Sequence, residues 1–147
     1  MAGIFETIND AFDSALYHFG VDNNIKTDFE NDDEGQESID TPYLAGFLIL
    51  APTQQADLGY NEERQGLFQV DINYQSGAGT APINAMADLL NNKFNAGSYL
   101  TRDDICIEIT SFDYIFRGLT SVSANGGANG WAKGSATINF STYTKRI

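Results

Sequence analysis

Among the 147 residues there is a single cysteine, Cys106, so no bridge can form within the chain and a disulfide scaffold is excluded. The same count points to folding in a reducing compartment. Bases are scarce: 8 Lys and Arg stand against 20 Asp and Glu, a net charge of −12. Gripping a phosphate backbone needs a cluster of cations, so specific nucleic-acid binding is excluded as a role. Long apolar runs are missing too. The longest, Tyr43 to Pro52 (YLAGFLILAP), is too short to span a bilayer, which takes about 18 or more residues. The first fifteen residues, MAGIFETINDAFDSA, lack a basic start and carry acids inside their apolar pattern, unlike a secretion signal or a transit peptide. The expectation is a protein that acts where it is made or leaves as part of something larger.

What is present is an ordinary globular composition, 42% hydrophobic and 12% aromatic, and one domain over residues 1–147 is expected. A chain of this length buries roughly two-thirds of its unfolded surface, enough for a core without a metal or a bridge. The negative charge is local. Residues 1–40 hold eleven acids and one base, Lys26, whereas residues 41–147 hold nine acids and seven bases.

Periodicity supplies the elements. Ile4, Phe5, Ile8, Phe12, Ala15, Leu16 and Phe19 recur at helical spacing opposite Glu6, Asn9, Asp10 and Asp13, an amphipathic helix that Gly20 is expected to end. Ile25, Thr27 and Phe29 alternate as a short strand, and the acid-rich residues 30–40 (ENDDEGQESID) have almost nothing to bury, which reads as a mobile loop. Tyr43 to Leu50 is apolar throughout and reads as a central strand covered on both faces. Residues 53–65 read as a long connection. Phe68, Val70, Ile72 and Tyr74 then alternate with Gln69, Asp71, Asn73 and Gln75, a strand with one core face and one wet or partner-facing side.

Thr80 is placed to cap a second helix, with Pro82 in its first turn, a stripe of Ile83, Met86, Ala87, Leu90 and Phe94, and an end at Gly97. Ile105, Ile107 and Ile109 alternate in a further strand that continues or re-forms through Tyr114 to Leu119. A glycine-rich stretch, residues 123–130 (SANGGANG), separates it from a last strand, Trp131 to Thr144. There Ala132, Ala136, Ile138 and Phe140 face away from Lys133, Ser135, Thr137 and Asn139. Short strand connections favour pairing of neighbours, and two one-sided helices cover one face only. The predicted fold is α+β: a mainly antiparallel β-sheet with two α-helices packed on one face.

No pattern carries catalysis. Gly77-Ala78-Gly79-Thr80 resembles a dinucleotide loop only superficially, because Pro82 stands where the third glycine belongs. Aligning Gly35 as the turn glycine of a calcium loop puts Thr41 at the bidentate glutamate position, so no EF-hand is present. A nucleophilic dyad would need Cys106 or a serine beside His18, the one histidine, which reads instead as a helix-end interaction. Cys106 itself reads as a half-buried strand residue. Asp103 with Asp104 and Glu62 with Glu63 are neighbours read as lying in loops, with no apolar pocket to raise a pKa. Asn139-Phe140-Ser141 forms a sequon inside a strand and is set aside. No catalytic residue, cofactor or metal is expected.

The N-terminal helix and strand, T-P-Y-L at Thr41 to Leu44, R-Q-G-L-F-Q-V-D-I at Arg64 to Ile72, A-D-L-L-N-N-K-F at Ala87 to Phe94 and the strand opening at Gly130-Trp131 resemble the tail terminator (tail-completion) proteins of long-tailed bacteriophages. The likeness runs in order over almost the whole chain. It implies a structural virion protein without turnover, one that assembles as a hexameric ring on the head-proximal end of the tail tube and stops tube polymerisation. The ring would then present a docking surface to the head-tail connector. Implied partners are further copies of itself, the tail tube protein, the connector or a neck protein, and sheath where the tail contracts. DNA passes through such a ring, no membrane is involved, and assembly takes place in the host cytoplasm.

The two stretches without a counterpart in that resemblance are predicted to supply contacts, through Asp32, Asp33 and Glu34 in the acid-rich loop and Asn125, Gly126, Gly127 and Asn129 in the glycine-rich one. The acid-rich loop has a second reading, as the lining of a channel from which its charge repels DNA. Two other classes remain open: another ring-forming tail or neck component, such as a head-closure or tail-tube subunit, and a small binding module or enzyme unrelated to virions, marked by a closed apolar pocket.

Overall fold

The computed structural model describes residues 3–29, 42–51, 54–55, 61–75, 80–103, 105–119 and 131–145. In chain order these form α1 (Ile4–Asp22), β1 (Lys26–Phe29), β2 (Tyr43–Leu50), β3 (Gln54–Gln55), β4 (Asn61–Gln75), α2 (Ala81–Lys93), β5 (Tyr99–Arg102), β6 (Ile105–Leu119) and β7 (Trp131–Lys145). The strands make one sheet in the order β1-β2-β4-β7-β6-β5, with β3 paired to β4. Every pairing is antiparallel except β1 with β2. The mainly antiparallel α+β architecture expected from the sequence is the one observed.

Alternation decides which face each strand buries. Phe68, Val70 and Ile72 of β4, Ala136, Ile138 and Phe140 of β7, and Ile107 and Ile109 of β6 are all fully or nearly fully buried. Over them lie α1, which contacts β1, β2, β5 and β6, and α2, which contacts β4, β6 and β7. Phe12 of α1 anchors the centre of this layer, its ring 4.9 Å from that of Phe68 and 4.8 Å from that of Phe140. Ile83, Met86, Ala87 and Leu90 complete the layer from α2. Gly134 lets α2 come close: a β-carbon there would sit 2.8 Å from both Ile83 Cγ2 and the Tyr114 ring.

Several expectations are corrected. Phe5 does not join the buried stripe of α1; it is 52% exposed, with the Arg64 guanidinium 4.8 Å over its ring. Gly20 does not end α1 but is buried inside it, because a β-carbon would lie 2.6 Å from Thr27 Cγ2 and 2.7 Å from the Ile25 carbonyl. The stop is Asn23, whose backbone N–H and Nδ2 both donate to the Phe19 carbonyl, followed by Asn24 at φ 55°. Thr80 occupies the position before α2 without a side-chain capping bond. That helix closes at Lys93 rather than Gly97, whose φ of +90° instead serves the turn into β5.

β2 is not covered on both faces: both helices lie on one side, and Ile49 on the other is 53% exposed. The stretch read as a connection contains strand, since Gln54 and Gln55 pair with Glu63 and Glu62, and β4 begins at Asn61. Glu62 and Glu63 therefore sit in β4, not in a loop. β6 is one strand with two bulges. Thr110 and Arg117 are skipped in its register with β7, and each extra residue flips the alternation. Ile107 and Ile109 thus face the core before the first bulge, while Phe112 and Tyr114 pack against it afterwards.

Candidate functional site

The face without helices carries the chain's most connected polar group. Asp28, Ala45, Asp71, Ser135 and Ile115 form one row across β1, β2, β4, β7 and β6. Alternation places their side chains opposite the helices. Asp71 is 8% exposed although it belongs to the side expected to be wet. A buried carboxylate is tolerated only when bonded, and this one accepts from Gln69 Nε2 at 2.9 Å and Ser135 Oγ at 2.8 Å. Lys133 Nζ lies 3.6 Å from its other oxygen. Arg117 Nε donates to Ser135 Oγ at 2.8 Å, so one serine couples the acid to the guanidinium. Asn73, also buried, donates from Nδ2 to the Asp71 carbonyl at 3.4 Å.

The Arg117 bulge aims that side chain. Phe116 pairs with Gly134 and Gly118 with Lys133, leaving Arg117 between them as the extra residue. Gly118 takes the left-handed φ of +91° that the distortion needs. Tyr43, beside Asn73 in the register, has its phenol pushed above the ordinary value by burial first and then by the negative charges of Asp28 and Asp71. Asp28 Oδ1 is buried with no hydrogen-bond partner among the described residues.

His18 and Cys106 are both exposed. The half-buried placement expected for Cys106 is thus corrected: β5 covers only its backbone edge, and its side chain stands on the open face. Glu63 accepts a long 3.4 Å bond from Ser141 Oγ. Among the described residues no three His, Cys, Asp or Glu side chains converge as a metal site would require. A hollow of about 370 Å³ between Ile49, Leu67, Thr110, Asn139 and Phe140 has no charged side chain among the described residues of its wall. A second, of about 440 Å³, runs beside α2 along Asp88, Phe112 and Tyr114. Asp32, Asp33, Glu34, Asn125, Gly126, Gly127 and Asn129, the contact residues expected from the sequence, all lie outside the described residues, as do Gly77 to Gly79 of the dinucleotide-like stretch and the calcium-loop alignment.

The sequence reading missed the Asp71–Ser135–Arg117 network, although one signal was available. An acid and a serine at facing positions of two alternating strands mark a polar pair on one face, but the register that brings them together was not in the sequence.

With this geometry in place, the family comparison decides. A model described as phage tail terminator protein matches residues 7–140. The chain belongs to that family. As a phage tail terminator family member it is a structural protein of the bacteriophage tail, and its place is the virion tail. A solved structure aligns over 99% of this chain and 98% of its own length with a TM-score of 0.67 at 17% identity, a likeness that speaks for the fold alone. No curated protein matches the chain. No helix among the described residues is long and apolar enough to cross a membrane.

Proposed function

We propose that this tail terminator family member assembles into a ring, hexameric as the family resemblance implies, on the head-proximal end of the tail tube. There it stops tube polymerisation and provides the surface to which the head-tail connector or a neck protein attaches. The observation that carries the reading is the open sheet face. It spends its buried polar groups on each other, Asp71 with Ser135, Gln69 and Lys133, and keeps Ile49 and Ile115 exposed beside them at 53% and 58%. A rigid, mixed polar and apolar surface of this kind suits protein partners better than a small substrate.

In this reading the tail tube protein is the partner on one side and the connector on the other, with sheath where the tail contracts, and DNA passes through without being specifically bound. Asp32, Asp33, Glu34, Asn125, Gly126, Gly127 and Asn129 supply contacts, the whole chain acts as one domain, and assembly takes place in the host cytoplasm.

The test is to silence the gene in the phage and image the products. Tails of uncontrolled length together with unjoined heads are expected. Tails of normal length joined to heads refute the role. Should a labelled copy of the protein lie along the tube or on the head vertex, it is instead a tube or head-closure subunit.

A further inference from the structure

We propose that the far half of β6, together with Lys133 beside it, is the surface on which a second copy of this chain seats its acid-rich stretch, residues 30–40. The proposal rests on the ring reading and names the contact that would build it. On one side β6 pairs with β7 along nearly its whole length. On the other side β5 stops at Glu108, and the Gly97 and Ser98 bonds stop at Ile109. Among the described residues nothing pairs with that side over residues 111–119, about 30 Å of open edge at the usual strand rise. Natural sheets blunt such edges with charge, proline, bulges or short length. This one carries the Arg117 bulge and still exposes Ile115 at 58% and Phe116 at 37%, as an interface would.

Beside the open edge stand two cations in one network. Arg117 spends its Nε on Ser135 Oγ, which is itself held by buried Asp71. That fixes the guanidinium while leaving its two terminal NH₂ groups without a partner among the described residues. Such a fork is pre-organised for a carboxylate. Lys133 reaches the same Asp71. The complementary charge on this chain is residues 30–40, with six acids and no base. They follow directly on β1, which is the opposite edge of the sheet from the β6 and β5 end. Copies placed edge to edge therefore bring the acids of one onto the cations of the next, a heterologous contact of the sort that closes rings.

The test removes the native thiol with Cys106→Ser and installs Ile115→Cys and Gln36→Cys in one chain, in tails assembled in infected cells and then mildly oxidised. A ladder of covalently joined copies is expected. Adding Arg117→Gln or Lys133→Glu should cut the joined fraction about tenfold. Pairing Arg117→Glu with Asp32→Lys and Asp33→Lys should restore it. Melting temperatures of the variant subunits check that they remain folded. A bridged single chain shows that the acids sit on their own copy and overturns the proposal, as does the absence of bridging. Images of the same tails separate the two ideas: rings without bridges overturn this contact alone, and bridged open chains without rings support it while overturning the ring.

Discussion

Two phenylalanines on α1, seven positions apart, give the sharpest test of how the helix is seated. Phe12 is fully buried, with rings at 4.9 and 4.8 Å, whereas Phe5 is 52% exposed with the Arg64 guanidinium over its face. Phe12→Ala removes a ring from a packed core, which costs about 3–5 kcal/mol, including about 0.5–1.5 for each of its two ring–ring pairings. A domain holding on the order of 5–15 kcal/mol in total should then melt roughly 10–15 °C lower. Phe5→Ala forfeits an exposed cation–π interaction and some partial burial, under about 1 kcal/mol. Urea unfolding of both variants, with the slope checked against the parent so that the midpoint reports stability, measures the difference. Equal losses, or a larger loss from Phe5→Ala, would mean that α1 presents a different face to the sheet.

Ile72→Asp puts a charge at a fully buried position facing the helices; the subunit should fail to fold, and a soluble variant with native circular dichroism refutes the assignment of that face. Gly66→Ala sets a β-carbon 2.5 Å from the Ile49 carbonyl, inside the β2–β4 ladder, and should destabilise by about 1–3 kcal/mol; a rise in melting temperature contradicts the register. Tyr43, Tyr74 and Tyr114 hold raised phenol pKa values, burial being the largest cause in each, with Asp28 and Asp71 adding at Tyr43 and Asp88 at Tyr114. The folded state therefore keeps these protons longer than the unfolded chain. Their contribution is whole below about pH 10 and is lost as pH rises through the raised values, so stability that climbs above pH 10 contradicts the shift.

The parts of the fold legible in the sequence are those where burial follows period. Phe68, Val70 and Ile72 announce β4, and Ile8, Phe12 and Leu16 announce α1, because one buried face repeats in each. What was not legible has particular causes. β5 is four residues long and mostly exposed, so no alternation marks it, and β4 starts in the all-polar Asn61 to Gln65. At Gly20, packing against Thr27 overrides the stop signal a glycine carries. The flip of face along β6 depends on bulges at Thr110 and Arg117, which exist only relative to β7. Asp71 reads as a solvent-facing strand residue, and only the β4–β7 register, which sets Ser135 opposite it, turns it into the centre of a buried network. The expected contact residues, Asp32 to Glu34 and Asn125 to Asn129, were chosen for charge and chain entropy and lie outside the described residues.

The place of β7 has a consequence for synthesis. It is the last strand of this chain to leave the ribosome, yet it lies in the middle of the sheet, between β4 and β6, and carries Ala136, Ile138 and Phe140 into the core. Until residue 145 has emerged, β4 and β6 cannot be joined, and a nascent or truncated chain has two half-sheets and no closed core. Pairings this distant in sequence are slow to form, since loop closure precedes any gain from contact. A fragment that lacks β7 therefore also lacks the finished open sheet face, and under the proposed role only complete subunits are expected to join the tail.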